Sequence, residues 1–159
     1  MNLKNRNFNW KKLLICIAIP LAIGLLAGVL TRGGMEEFIS VQQPPLSPPT
    51  WLFPIAWTIL YTLMGLSSYF ILESTEEGKE KALNIYWYQL LVNFLWPIFF
   101  FLFQWYLFSF LWLLLLWYLV AKMILEFGRI RQSAAFFNVP YLLWLSFAGY
   151  LNLGIWLLN

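Results

Sequence analysis

The sequence predicts an all-α integral membrane protein, a bundle of five transmembrane helices. Three observations carry that prediction. Of the 159 residues, 62% are hydrophobic and only 11% charged, against about 25% charged in an ordinary soluble domain. The apolar residues fall in runs long enough to cross a bilayer, which takes about 20 predominantly apolar residues per helix. Once five spans are drawn, the lysines and arginines collect on one side of the membrane.

The first span covers residues 13–30. Lys4, Arg6, Lys11 and Lys12 precede it, as basic residues precede a signal peptide. The run is longer than the roughly 7–15 residues of a signal h-region, and no clear small-residue cleavage site ends it, so it reads as a retained helix. Pro20 lies inside it. The Gly24-x-x-x-Gly28 and Ala18-x-x-x-Ala22 spacings let another helix of the same chain approach closely. The first loop, 31–50, opens with Gly33-Gly34, which stops the helix. Met35 to Ile39 gives one or two amphipathic turns. Pro44, Pro45, Pro48 and Pro49 then form a stiff, polyproline-like strap ending at Trp51, because each proline lacks an N–H and pushes its predecessor towards extended geometry.

The second span is 51–72, followed by the charged connector Glu73–Lys81. The next apolar region is too long for one helix and divides into spans 83–103 and 106–126, with the break at Gln104–Ser109, where Gln104, Trp105, Tyr106 and Ser109 resemble an interfacial turn. The connector Gly128–Ser133 carries Arg129 and Arg131, and the fifth span is 134–158, with Pro140 near its first turns. This count places nine of the basic residues with the N-terminus and only Arg32 opposite. The N-terminus is therefore expected in the cytoplasm, and the C-terminus and the proline strap outside a plasma membrane.

Composition also excludes chemistry. There is no histidine, Cys16 is the sole cysteine, and all the acids are glutamates, nearly all in loops. Disulfides, thiol–imidazole dyads and His-based metal sites are excluded, and no cofactor is predicted. A net charge of +3, scattered, gives no nucleic-acid footprint. No phosphate loop follows Gly33-Gly34. No Asp, Glu, His or Arg is expected deep in a span to relay ions, which counts against a proton-coupled pump.

What remains is a set of polar and aromatic faces. Gln89, Asn93, Trp96 and Phe100 recur at helical spacing on the third span; Pro54, Trp57 and Tyr61 on the second; Trp144, Ala148 and Asn152 on the fifth. Each has a bland reading: membrane amides often bond a neighbouring helix, and tryptophans at helix ends, such as Trp10, Trp105 and Trp156, serve as interfacial belts. Trp57, Trp96 and Trp144 sit deeper, which weakens the belt reading for them. Together the faces suit an apolar pocket with a few polar groups that orient a flat ligand.

Three ordered motifs give the chain a resemblance. The proline loop with Trp51 and Pro54-Ile55-Ala56-Trp57-Thr58-Ile59-Leu60-Tyr61, the stretch Asn93-Phe94-Leu95-Trp96-Pro97-Ile98-Phe99-Phe100, and Pro140-Tyr141-Leu142-Leu143-Trp144-Leu145-Ser146-Phe147-Ala148 continuing to Leu151-Asn152 resemble the TspO/MBR family, which includes bacterial tryptophan-rich sensory proteins and the mitochondrial translocator protein, or peripheral benzodiazepine receptor. The resemblance spans almost the whole chain and implies a single domain over residues 1–159, a five-helix bundle that is often a homodimer, and a cavity beneath the first loop. It implies a membrane receptor or sensor that binds porphyrins such as protoporphyrin IX, haem-related tetrapyrroles and benzodiazepine-type ligands. By motif position the pocket falls on Trp51, Trp57, Asn93, Trp96, Trp144, Phe147 and Ala148, to which the helix faces add Tyr61 and Asn152. The sequence departs from the family's sterol pattern on the fifth span, since no base follows Tyr150; Leu116-Trp117-Tyr118 with Lys122 fits the same loose pattern. Other readings stay open: a translocator of porphyrin or lipid, a porphyrin-degrading enzyme using light or oxygen with Trp57 and Trp144 as redox-active indoles, or a structural assembly factor.

Overall fold

The computed structural model describes residues 8–159, with backbone alone for Met35 and Glu36; Lys4 and Arg6 lie outside the described residues. The elements are α1 (Trp10–Leu30), α2 (Gly34–Ser40), α3 (Leu52–Leu72), α4 (Lys79–Pro97), a π-helical turn (Ile98–Leu102), α5 (Tyr106–Ile130), α6 (Gln132–Phe136) and α7 (Val139–Leu158). Five stretches are long and apolar enough to cross a membrane: Trp10–Leu30, Leu52–Leu72, Lys79–Leu102, Tyr106–Ile130 and Gln132–Leu158. The chain is an all-α, five-helix membrane protein, as its sequence predicts. Helices suit that setting because they satisfy every backbone group within the segment.

Helix α1 begins where the Asn9 side chain accepts the Lys12 N–H at 3.1 Å, an N-cap. It lies along α3, and α5 packs against both α4 and α7. Pro20 has no N–H to give the Cys16 carbonyl, and α3 passes close against α1 at that point. A β-carbon on Gly65 would fall against the Cys16 carbonyl and the Ile17 α-carbon. Gly24 likewise meets the Tyr61 ring, whereas Gly28 has nothing within 4 Å, and Ala18 and Ala22 are exposed. The core is built from Met64, Ile71, Tyr86, Leu116, Phe127 and Leu145, contributed by α3, α4, α5 and α7.

The helix ends differ from the sequence reading in ways that have physical causes. Gly78, in the left-handed region at φ 85°, turns the connector straight into α4, so Lys79 to Lys81 join the helix. Glu80 in the first turn complements the helix dipole. At the other end the α-helix stops at Pro97 and a π turn follows, with the Phe103 N–H donating to the Ile98 carbonyl at 3.0 Å; Gln104 then takes φ 54° and α5 starts at Tyr106. The fourth span runs on to Ile130, held by Glu126, which accepts from Lys81 at 2.7 Å and from Arg129 at 3.1 Å. The expected connector Gly128–Ser133 thereby shrinks almost to Arg131. The fifth span is two helices, since Pro140 cannot bond the Phe136 carbonyl and the chain turns at Phe137–Asn138.

The first loop is not a uniform strap. Its first half is α2. Its prolines enclose a tight turn in which the Ser47 N–H and Oγ donate to the Pro44 carbonyl at 3.3 and 2.8 Å, with Leu46 at φ 67°. The loop is tied to α7. Tyr150 donates to the Pro45 carbonyl at 2.7 Å, the Asn159 side chain bonds both the N–H and the carbonyl of Gln42, and Pro44 packs where Gly154 leaves room.

Candidate functional site

A cavity of about 570 Å³ opens at the end of the bundle beside the first loop, within the size range of small-molecule sites. Its walls come from the second half of α1, from α2, from the first half of α3, from the end of α4 with the π turn, and from the second half of α7. The sequence places them there simply: α1, α4 and α7 end at the face where α3 begins. Among the described residues lining it are Trp57, Tyr61, Asn93, Trp96, Ala148 and Asn152. The sequence reading did not anticipate Phe38, Phe53, Phe101, Gly28 and Arg32 as wall residues.

The aromatic wall is layered. The Trp57 ring stacks on Tyr61 at 5.3 Å, and Trp96 stacks on Phe100 at 5.2 Å. Phe38, carried by α2, lies over this end with ring centroids 6.2, 5.9 and 5.4 Å from Phe53, Phe100 and Phe101. The π turn makes that cap possible. By inserting an extra residue into the helical repeat it brings both Phe100 and Phe101 to Phe38, and Gly34 lets α2 rest on the Phe101 carbonyl, where a β-carbon would collide.

The amides are bonded to the protein itself. Tyr61 donates to Asn93 Oδ1 at 2.6 Å, Asn93 Nδ2 donates to the Tyr141 hydroxyl at 2.7 Å, and Tyr141 donates to Gln89 Oε1 at 3.1 Å. Gln89 Nε2 ends the chain at Met64 Sδ, 3.3 Å away. Asn152 Oδ1 accepts from Trp96 Nε1 at 3.2 Å and from Ser109 Oγ at 3.0 Å, while its Nδ2 donates to the Tyr106 carbonyl at 2.8 Å. These side chains fix the wall, since each amide is held through both its oxygen and its nitrogen within the bundle. Among the described residues the lining carries no acid, thiol or imidazole, and Arg32 is its one charged side chain. Such a surface can bury, stack and select by shape.

Residues 16–157 match the sequence profile of the TspO/MBR family. The chain belongs to that family. Its relatives include the tryptophan-rich protein TspO of Chlorobaculum tepidum, 34% identical over 92% of this chain and 95% of that protein. The translocator protein of Bos taurus is 34% identical over 87% of this chain and 84% of its own. Protein CrtK of Rhodobacter capsulatus is 35% identical over 86% and 85% respectively.

The residues assigned from the TspO/MBR motifs divide into two groups. Trp57, Asn93, Trp96 and Ala148 line the cavity, as do Tyr61 and Asn152 from the helix faces. Trp51, Trp144 and Phe147 do not. Trp51 caps α3 and is 64% exposed. Trp144 stands behind Phe53 at 6.0 Å and beside Phe147 at 5.8 Å, and its buried indole N–H has no partner among the described residues. Trp57 and Trp144, the pair a degradative reaction would use, therefore do not face one another across the cavity. The signal for Phe38 was present in the amphipathic stretch Met35 to Ile39; for Arg32 there was only its isolation from the other basic residues.

Proposed function

We propose that this TspO/MBR protein is a membrane receptor or sensor that binds porphyrins and related flat aromatic ligands, including benzodiazepine-type compounds, in the cavity below its first loop. The observation that carries the reading is the cavity wall: indole and phenyl faces of Trp57, Trp96, Phe38 and Phe100 around about 570 Å³, beneath a loop tied down to α7. Stacking and apolar burial supply the affinity. The names of relatives, translocator protein and tryptophan-rich sensory protein, agree with a ligand-handling role in a membrane. The orientation we propose keeps the N-terminus in the cytoplasm and the cavity on the outer side. It is supported by the ion pairs Lys12–Glu73 and Lys81–Glu126, which gather basic residues at the end away from the cavity. The test is a protoporphyrin IX titration of the purified protein in detergent, read by tryptophan quenching. Saturable quenching weakened about tenfold or more by Trp57→Ala supports the reading, on the scale of a lost buried aromatic contact. Non-saturable quenching, identical in parent and variant, means the porphyrin dissolves in the micelle and the reading is wrong.

A further inference from the structure

Asn93 and Asn152 are engaged by Tyr61, Tyr141, Trp96, Ser109 and Tyr106, so what the rest of the described wall offers a ligand is neutral: an amide N–H on each and the Trp57 indole N–H. Arg32 is different. It lines the cavity at the mouth, is exposed, and makes no ion pair among the described residues. The turn that carries it is fixed: Thr31 is buried with its hydroxyl donating to the Ala27 carbonyl at 2.9 Å, and the Gly34 N–H donates to the Thr31 carbonyl at 3.1 Å. An arginine just beyond a transmembrane helix is ordinarily explained by the helix dipole and the headgroup layer. Neither role requires it to form part of a cavity wall.

We propose that Arg32 is the polar anchor of the site, pairing with a carboxylate on a ligand whose apolar body fills the cavity, so that the site selects amphiphilic acids over neutral molecules of the same shape. This rests on the binding reading above. A guanidinium offers forked N–H donors that match a carboxylate. At the mouth it remains solvated, so no buried charge has to be compensated when the cavity is empty. The ligand then has one orientation, with its acid at the loop face and its body towards Trp57 and Trp96.

The test compares protoporphyrin IX with its neutral dimethyl ester in parent, Arg32→Gln and Arg32→Lys proteins, in detergent at low and high salt. The expected result is about fivefold weaker binding of protoporphyrin IX to Arg32→Gln, with the ester unaffected, a size set by a partly exposed ion pair. Arg32→Lys should lose less, and salt should erase the difference between parent and Arg32→Gln. Equal weakening of both probes, or none for the acid, overturns the anchor. A drop in co-purifying phospholipid phosphate in Arg32→Gln, with acid affinity unchanged, would assign Arg32 to a lipid headgroup and overturn it too. If both probes bind the parent saturably and Arg32 is indifferent, only the anchor falls. If neither does, the binding reading falls and takes the anchor with it.

Discussion

Two glycines a helical turn apart on α1 should respond in opposite directions to the same substitution. Both line the cavity, yet a β-carbon on Gly24 falls among the Tyr61 ring carbons while one on Gly28 meets nothing within 4 Å. The Tyr61 ring is not free to swing aside, since its hydroxyl is held by Asn93 at 2.6 Å and its face by Trp57 at 5.3 Å. Gly24→Ala therefore incurs an overpacking cost of about 1–3 kcal/mol, offset by about 0.5–1 kcal/mol of helix propensity, for a net loss of about 1 kcal/mol at the middle of both ranges. Gly28→Ala gains the propensity term alone, about 0.5–1 kcal/mol. At about 2–4 °C per kcal/mol for a chain of this size, thermal unfolding in one detergent, followed by helical circular dichroism, separates the two variants on either side of the parent. Replacing Tyr61 by Leu should abolish the Gly24→Ala loss, because the two positions share one contact. Gly28→Phe, which fills the cavity without touching the α1–α3 seam, should bind protoporphyrin IX at least about tenfold more weakly without melting below the parent. A Gly24→Ala protein as stable as the parent, or a Gly28→Ala protein that melts lower, would refute the assignment of the close approach to Gly24 and of open cavity to Gly28.

Three further outcomes are expected. Gly65→Ala should cost more than Gly24→Ala, about 3 kcal/mol or above, since the obstacle is the Cys16–Ile17 backbone and not a side chain; a chemical or thermal melt reads it. Phe38→Ala removes the ring that covers Phe53, Phe100 and Phe101. It should speed ligand dissociation about tenfold, with little effect on association, as stopped-flow displacement would show. Asn152→Leu strands the Trp96 indole N–H and should lower stability by about 1–2 kcal/mol, visible as an earlier melt even with no ligand present.

The five spans were legible because bilayer thickness imposes a length on apolar runs and charge asymmetry fixes their number, and neither depends on tertiary packing. Helix ends were less legible. Lys79 to Lys81 look like a loop by polarity, but long basic side chains reach the interface from within a helix. The break of the fifth span depends on one missing N–H at Pro140. For the site, period-3.6 faces located Trp57, Tyr61, Asn93, Trp96, Ala148 and Asn152, since residues sharing a face share a wall. Trp144 shares its face with Ala148 and Asn152 but sits one turn or more nearer the helix start, where Phe53 from α3 intervenes; no single-helix pattern contains that. Phe38 reaches the cavity because α2 folds back onto a π turn, and a π turn shifts the helical repeat that the sequence reading depends on.

The hydrogen-bond chain also bears on what the cavity can do. Four bonds in series, Tyr61 to Asn93, Asn93 to Tyr141, Tyr141 to Gln89 and Gln89 to Met64, close the bundle directly beyond the cavity floor. Tyr141 is 1% exposed, and Gln89 and Met64 are fully buried. A flat ligand passing through the bundle would have to part these groups in a bilayer interior that offers no replacement partners. At about 0.6 kcal/mol per interhelical bond the direct loss is about 2–3 kcal/mol. Each orphaned donor or acceptor adds a desolvation penalty of about 1–3 kcal/mol. Holding a ligand in the half of the bundle beside the first loop requires none of this, since the amides can stay bonded as they are. The exposed residues Leu25 and Val29 on α1 and Thr58 on α3 extend the cavity wall to the side of the bundle, towards lipid. Exchange with the adjacent bilayer leaflet is thus far less costly than passage through the floor, and the binding reading proposed above needs only that exchange.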